Sequence, residues 1–200
     1  QLKGLPESII EAAAHTAKEK GKNGWIITLQ APSYVPFMKY CENRELRRKL
    51  YMAYNTQCIH DNEQNNEDVV KQLVNLRMQL AQLLGFKNYA DYALRKRMAE
   101  NSERVYQLLD QLLEAYTPTA REEVKEIEAL AQRTEGKDFQ LMPWDFSYYA
   151  EKLKNEKFNL DEEALRPYFE LSRVKEGVFG LATRLYGISF KENKDIPVYH

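Results

Sequence analysis

The chain has 200 residues, of which 44% are hydrophobic and 30% charged, and these values are typical of a folded globular protein. They exclude a collagenous, low-complexity or wholly disordered chain. The 29 lysines and arginines against 30 aspartates and glutamates leave a net charge of −1, so nothing favours nucleic acid or an anionic membrane as a partner. The longest apolar run, residues 50–54, is far shorter than the roughly 20 residues that span a bilayer.

The first part of the chain predicts two helices and one strand. Apolar residues at helical spacing follow Pro6 and continue as far as Gly21, which predicts a first amphipathic helix. Residues 24–29 are rich in aromatic and β-branched side chains and stop before a proline, as a short strand does. Asn43 is suited to cap a second helix, on which the basic triplet at residues 47–49 is predicted to form a solvated face.

The middle of the chain predicts a series of helices separated by short loops. A polar loop at residues 61–66 precedes a long helix that ends at Gly85, and Asn88 begins a short one. Ser102 is predicted to cap a further helix, whose apolar stripe keeps its phase across Pro118. Either one long kinked helix or two nearly collinear helices are expected there.

The last part of the chain predicts further helices and a second strand. One helix follows Asp145, residues 159–162 have the pattern of a helix start, and another helix ends at Gly187. Residues 188–192 alternate apolar with polar side chains, which predicts a strand whose open edge is able to pair with a second copy. Because no repeat and no flexible linker divides residues 1–200, the predicted fold class is mainly α, a single multi-helix array with one or two short strands.

Apolar residues that recur along the predicted helices are expected to be largely buried. Each stripe presents one continuous face, and a helix of a globular protein buries such a face against a neighbour. The expected core residues are Leu73, Leu76, Leu80, Leu109, Leu112, Val178 and Leu181.

Groups able to support catalysis or metal binding are few. The three histidines, His15, His60 and His200, are far apart, and none belongs to the His-Glu-x-x-His pattern that places two zinc ligands on one helix face. The cysteines, Cys41 and Cys58, are expected to be free thiols. The sequence has neither a glycine-rich phosphate loop nor a nucleophile elbow. We therefore predict no catalytic residue and no metal ligand in this chain.

The densest aromatic segment lies at residues 143–149 and reads Pro-Trp-Asp-Phe-Ser-Tyr-Tyr. We expect Trp144 to be packed and Asp145 to cap the following helix by accepting from its free amides. Tyr148 is the candidate for a residue that faces a groove and presents its hydroxyl to a peptide.

Several stretches of the sequence carry a resemblance in their order and spacing. They include Asn-Arg-Glu-Leu-Arg at residues 43–47, Leu-Gly-Phe at 84–86, Pro-Trp-Asp at 143–145 and Leu-Tyr-Gly-Ile-Ser-Phe at 185–190. With residues 25–29 and 167–169 they cover nearly the whole chain. This set resembles the thimet oligopeptidase and peptidyl-dipeptidase family of zinc metallopeptidases, most closely its bacterial peptidyl-dipeptidase branch.

The resemblance implies a mostly helical, two-lobed, zincin-like peptidase with a deep, narrow channel that admits short peptides. This chain resembles the segment that precedes the catalytic region, so the His-Glu-x-x-His helix and the zinc are expected beyond His200. The implied partners are the remainder of a longer peptidase chain and, for the whole enzyme, short peptides. The implied compartment is the cytoplasm, or the periplasm if a signal segment has been removed. The alternative is a free-standing helical module that binds a partner in a groove.

Overall fold

The computed structural model describes residues 2–159 and 162–196, and they form a mainly helical structure, which confirms the predicted fold class. By their contacts the described residues fall into two compact units, with the division between Glu156 and Lys157. The helices of the first unit are α1 (Glu7–Glu19), α2 (Ala31–Tyr40), α3 (Arg44–Asn55), α4 (Glu67–Leu83), α5 (Tyr89–Leu94), α6 (Ser102–Glu135) and α7 (Pro143–Phe158), whose last two residues lie past the division. Those of the second are α8 (Glu162–Leu165), a 3₁₀ turn (Arg166–Tyr168) and α9 (Leu171–Tyr186).

The first three helices pack around a small core formed by Leu5, Phe37 and Cys41. α1 and α3 were predicted, and Asn43 caps α3 by accepting a hydrogen bond from the Leu46 amide at 3.0 Å. α2 is absent from the predicted elements, and its sequence contains two prolines. The first lies at the start of the helix, where a missing N–H costs nothing, and the helix continues through the second, Pro36.

The predicted strand at residues 24–29 is wrong. The segment is extended, but two of its amides donate to groups that do not belong to a strand. The Ile26 amide donates to the Ala13 carbonyl of α1 at 3.0 Å, and the Thr28 amide donates to Ser33 Oγ at 3.0 Å. A strand needs a neighbouring strand to complete its ladder, and here a helix and a hydroxyl take that place.

α4, α5 and α6 follow the predicted order, with one correction at the start of α6. Asn101, not Ser102, caps this helix, because its side chain accepts from the Arg104 amide at 3.0 Å. Ser102 instead donates its hydroxyl to Asp91 at 2.9 Å and so links α5 to α6. α6 runs through Pro118 as one helix of 34 residues, which decides between the two expectations for this region.

A second core lies where the last part of α6 packs against α7. Its buried members are Ile127, Leu130, Ala131, Tyr148 and Tyr149, with Phe139 and Leu141 of the intervening loop against them. Gly136 ends α6 with a φ of +118°, a backbone conformation that favours glycine. This turn lets α7 return along α6.

All seven predicted core residues are exposed in this structure, so that prediction is wrong. The helices form as expected, but within the described residues their apolar stripes face outward, and Leu76 is 62% exposed. A stripe is buried only if another surface packs against it, and the helical pattern alone does not supply that surface. The affected residues are Leu73, Leu76, Leu80, Leu109, Leu112, Val178 and Leu181.

In the second unit, α9 ends at Gly187, whose φ of +66° is the left-handed conformation that commonly follows a helix. The chain then brings Phe190 back onto Phe179 of α9, with ring centroids 4.3 Å apart. The predicted strand at residues 188–192 is therefore wrong, because this segment packs on its own helix. The predicted helix start at 159–162 and the open-edge tail that extends to residue 200 include residues outside the described ranges, namely 160, 161 and 197–200.

The two classes of leucine predict different costs of truncation. Leu130, 6% exposed in the α6–α7 core, should cost about 2–5 kcal/mol of unfolding free energy when changed to Ala. Leu76→Ala, the matched control on α4, should change the unfolding free energy of the same chain by no more than about 0.5 kcal/mol. Urea unfolding followed by circular dichroism measures both. Equal losses for the two variants would contradict the described packing.

Candidate functional site

A buried cluster of charged side chains joins α3 to the start of α7. Asp145 is fully buried, and the guanidinium groups of Arg44 and Arg47 surround its carboxylate. Arg44 and Arg47 are three residues apart on α3, so they project from the same side of the helix. The cluster brings together two segments that are about a hundred residues apart in the sequence.

Arg47 makes the most extensive contacts in the cluster and is only 1% exposed. Its Nη2 donates to Asp145 Oδ1 at 2.9 Å, and its Nε donates to the Trp144 carbonyl at 3.2 Å. Its Nη1 donates to the carbonyls of Cys41, at 2.7 Å, and Glu42, at 3.2 Å, where α2 has just ended. One guanidinium thus satisfies carbonyl groups at two helix ends and a buried carboxylate.

Arg44 binds the same carboxylate from a more exposed position. Its Nε donates to Asp145 Oδ1 at 3.1 Å and its Nη2 to Oδ2 at 2.7 Å, the paired geometry that suits a guanidinium and a carboxylate. Nη2 also donates to the Gln140 carbonyl at 2.9 Å. The hydrogen bond with Asp145 raises the pKa of the Arg44 guanidinium above its ordinary value.

Aromatic rings cover both guanidinium groups. The Arg47 guanidinium carbon lies 4.1 Å from the centre of the Tyr148 ring, and that of Arg44 lies 4.4 Å from the centre of the Phe139 ring. Each ring face attracts a cation and excludes water from it. The buried charges of Asp145 and Arg47 are therefore both paired and hydrogen-bonded, which is the condition for keeping them in the interior.

Asp145 is the third residue of α7, and its carboxylate accepts from the Met142 amide, just before the helix, at 3.1 Å. The predicted cap would accept from amides that follow Asp145, whereas the Met142 amide precedes it. Trp144 is half-buried, and its ring meets that of Tyr51 edge to face, with centroids 6.2 Å apart. Tyr148 lies in the buried core of α6 and α7 beneath Arg47. Its role in a peptide channel stays a prediction.

Two more polar contacts hold the same region together. The Tyr149 hydroxyl donates to Glu135 Oε1 at 2.8 Å, which links α7 to the end of α6. Burial and this carboxylate raise the pKa of the Tyr149 phenol well above its ordinary value. The buried Glu151 forms an ion pair with Lys39 of α2, with 3.1 Å between Glu151 Oε2 and Lys39 Nζ.

The predicted solvated face at residues 47–49 is wrong for Arg47, which is 1% exposed. The adjacent Arg48 does behave as predicted, because it is exposed and pairs with Glu45 at 2.8 Å. The signal that distinguishes the two is the i, i+3 repeat of Arg44 and Arg47. This repeat indicates burial only if the carboxylate of the Pro-Trp-Asp stretch lies against it. The periodicity of a single sequence does not show which distant segments come into contact.

The histidines and cysteines are not brought together. Across residues 2–159 and 162–196, no three His, Cys, Asp or Glu side chains form a group that would hold a metal ion. His15 lies 3.6 Å from Glu19 on the exposed face of α1, and His60 hydrogen-bonds Thr56 at 3.0 Å. The buried Cys41 and the exposed Cys58 are not joined by a disulfide, and burial raises the pKa of the Cys41 thiol. His200 lies outside the described residues.

Beside α3 the extended segment 25–28 borders an apolar cavity of about 350 Å³. Trp25 and Ile27 line one side of it, and Leu46 and Leu50 of α3 line the other. Trp25 is 56% exposed, so the cavity is open to solvent.

The arrangement defines a helical structural segment in which charged groups hold α3, the end of α2 and the start of α7 together. Residues 37–200 match peptidase family M3, and the chain belongs to this family. Over its whole length the chain is 40% identical to oligopeptidase A and 39% identical to dipeptidyl carboxypeptidase, both of Escherichia coli (strain K12). It covers 30% of each of these proteins.

A plant relative extends this comparison. Over 96% of its length the chain is 35% identical to organellar oligopeptidase A, chloroplastic/mitochondrial, of Arabidopsis thaliana, of which it covers 25%. The chain thus spans between a quarter and a third of these relatives. Among its described helices, none combines the length and the apolar composition that crossing a membrane requires.

The neighbouring arginines of α3 supply a matched pair of variants. Arg47→Lys removes the planar fork, so the carbonyls and the carboxylate cannot all be reached, and the unfolding free energy should fall by about 1–3 kcal/mol or more. Arg48→Lys keeps the charge at an exposed site and should change the unfolding free energy by no more than about 0.5 kcal/mol. Chemical denaturation distinguishes them, and equal effects would refute the structural role of Arg47.

The buried phenol of Tyr149 predicts a loss of stability at alkaline pH. Because its pKa is raised in the folded state, its contribution is complete below the unfolded pKa of about 10 and is lost as pH rises through and beyond that value. The unfolding free energy should therefore decline more steeply above pH 10 in the wild type than in Tyr149→Phe. Tyr106→Phe, at an exposed tyrosine of α6, should keep the wild-type slope. Three identical slopes, measured by urea unfolding at each pH, would contradict the prediction.

Proposed function

We propose that this chain is a non-catalytic helical segment of a longer zinc-dependent peptidyl-dipeptidase or oligopeptidase that hydrolyses short peptides, and that its helices help to shape the peptide channel. The observation that carries the proposal is membership of peptidase family M3 over residues 37–200. The printed names of the relatives, oligopeptidase A and dipeptidyl carboxypeptidase, describe enzymes that act on peptides.

The exposed apolar stripes support a further chain region as the partner. Val69, Leu73 and Leu76 of α4 are each between 44% and 62% exposed, and α9 carries a similar stripe. Exposed apolar faces of this extent mark surfaces that another part of a protein covers. The proposed cover is the remainder of the peptidase chain, since the relatives are more than three times as long as this chain.

Zinc belongs to the proposed enzyme but does not fit the residues described here. Catalytic zinc takes three protein ligands and a water, and no such ligand group occurs within residues 2–159 and 162–196. The proposal therefore assigns the metal, the activated water and the polarisation of the peptide carbonyl to residues outside this chain. The role left for the helices of this chain is to hold their part of the channel wall in place.

The proposal is tested by comparing this 200-residue chain with the product of the complete reading frame that encodes it. The longer product should contain a His-Glu-x-x-His sequence after residue 200, carry about one zinc per chain by elemental analysis, and cleave a quenched fluorescent peptide in a chelator-sensitive way. The 200-residue chain should bind no zinc in a fixed ratio and should cleave no peptide.

The role in the channel has its own measurement. In the longer enzyme, a peptide that is bound but not cleaved should slow amide hydrogen exchange in some helices of residues 2–196, whereas the same peptide should leave exchange in the 200-residue chain unchanged. Protection confined to the region after residue 200 would refute the channel role. A natural stop codon after His200 would refute the longer enzyme and favour the free-standing interaction module instead.

A further inference from the structure

The loop after α1 carries the only Asn-Gly pair of the sequence, Asn23 and Gly24. Both residues are exposed and form a bend that leads into the extended segment 25–28. Gly24 has a φ of +99°, and a Cβ built on it would meet no atom within 4 Å. The peptide bond between the two residues is therefore open to solvent, and no side chain at position 24 shields its nitrogen.

Hydrogen bonds hold the residues on either side of this pair but not the pair itself. The Lys22 amide donates to the Ala17 carbonyl at 2.9 Å, and the Ile26 amide donates to the Ala13 carbonyl at 3.0 Å. Within the described ranges, neither the Gly24 amide nor the Asn23 carboxamide has a hydrogen-bond partner. No hydrogen bond therefore holds the Gly24 nitrogen away from the Asn23 carboxamide.

We propose that Asn23 is a site of spontaneous deamidation, a covalent modification that proceeds through a cyclic imide with Gly24. The Gly24 nitrogen attacks Cγ of Asn23, the bond from Cγ to the side-chain nitrogen breaks, and ammonia leaves with the proton from the Gly24 amide. Water then opens the five-membered imide at one of its two carbonyls and leaves an aspartyl or an isoaspartyl residue. The balance is one water consumed and one ammonia released, and no oxidant or reductant is needed.

The modification changes both charge and chain geometry beside the apolar cavity. It adds a carboxylate to a loop that contains Lys20 and Lys22. The isoaspartyl product also inserts one extra methylene into the main chain at residue 23, three residues before Ile26, the point at which the extended segment is tied to α1. The added length falls two residues before Trp25, which lines the cavity together with Ile27.

The test is to incubate the folded chain at mildly alkaline pH in water enriched in oxygen-18 and to map its peptides by mass spectrometry. Position 23 should gain one labelled oxygen and lose its amide, with aspartyl and isoaspartyl products resolved by electron-transfer fragmentation. Asn65, an exposed asparagine whose side chain accepts from the Glu67 amide at 2.8 Å, is the internal comparison. Its conversion should be slower than that of Asn23 by tenfold or more.

Two further arms make the result decisive. The variant Asn23→Gln should remain unchanged over the same period, because its longer side chain would need a six-membered ring. The wild-type chain in urea should convert at position 23 within a few-fold of the folded rate, since the folded loop already leaves the site free. The proposal is overturned if position 23 reacts no faster than Asn65, or if it reacts only after unfolding.

Discussion

The buried carboxylate of Asp145 is the constraint on which the first unit depends. Removing a carboxylate from water is costly, and two guanidinium groups and one backbone amide offset that cost in this interior. The same contacts fix α7 against α3 and the end of α2. A neutral side chain of similar shape would leave two arginines without a counter-charge, so the three residues act as one unit and not as separate pairs.

The cluster also explains where apolar burial occurs. Tyr148 lies beneath Arg47, and with Tyr149 it continues into the core shared with Leu130 of α6. Charged and apolar layers thus follow each other along α7. Away from this helix, α4 and most of α6 have well-formed apolar stripes whose large side chains stay exposed, although the short α5 contacts both helices. The same type of residue is therefore buried in one region of the chain and exposed in another, as Leu130 and Leu76 show.

Local sequence signals were sufficient where the cause of structure is local. The asparagine caps at positions 43 and 88, the helix ends at Gly85 and Gly187, and the phase of α6 across Pro118 all depend on residues within one or two turns. Both strand predictions failed because an extended segment becomes a strand only beside another strand. The burial of Arg47 and the exposure of Leu76 could not be predicted from local sequence, because each depends on which distant residues pack against it. Both halves of the charged cluster, residues 43–47 and 143–145, lie in the stretches that carry the resemblance, but the resemblance does not show that they meet.

The shape of α6 has a consequence for how the protein opens. A helix of 34 residues is about 51 Å long. Its buried residues, Ile127, Leu130 and Ala131, all lie in its last third. Because α6 has its buried residues only near its carboxyl end, turns near Ser102 are able to unwind while the α6–α7 core stays closed. Local opening of these turns therefore costs less free energy than global unfolding. Protection against proteases along α6 should therefore rise from its amino end to its carboxyl end, and Pro118, which interrupts the hydrogen-bond ladder, should mark the step between the two regimes.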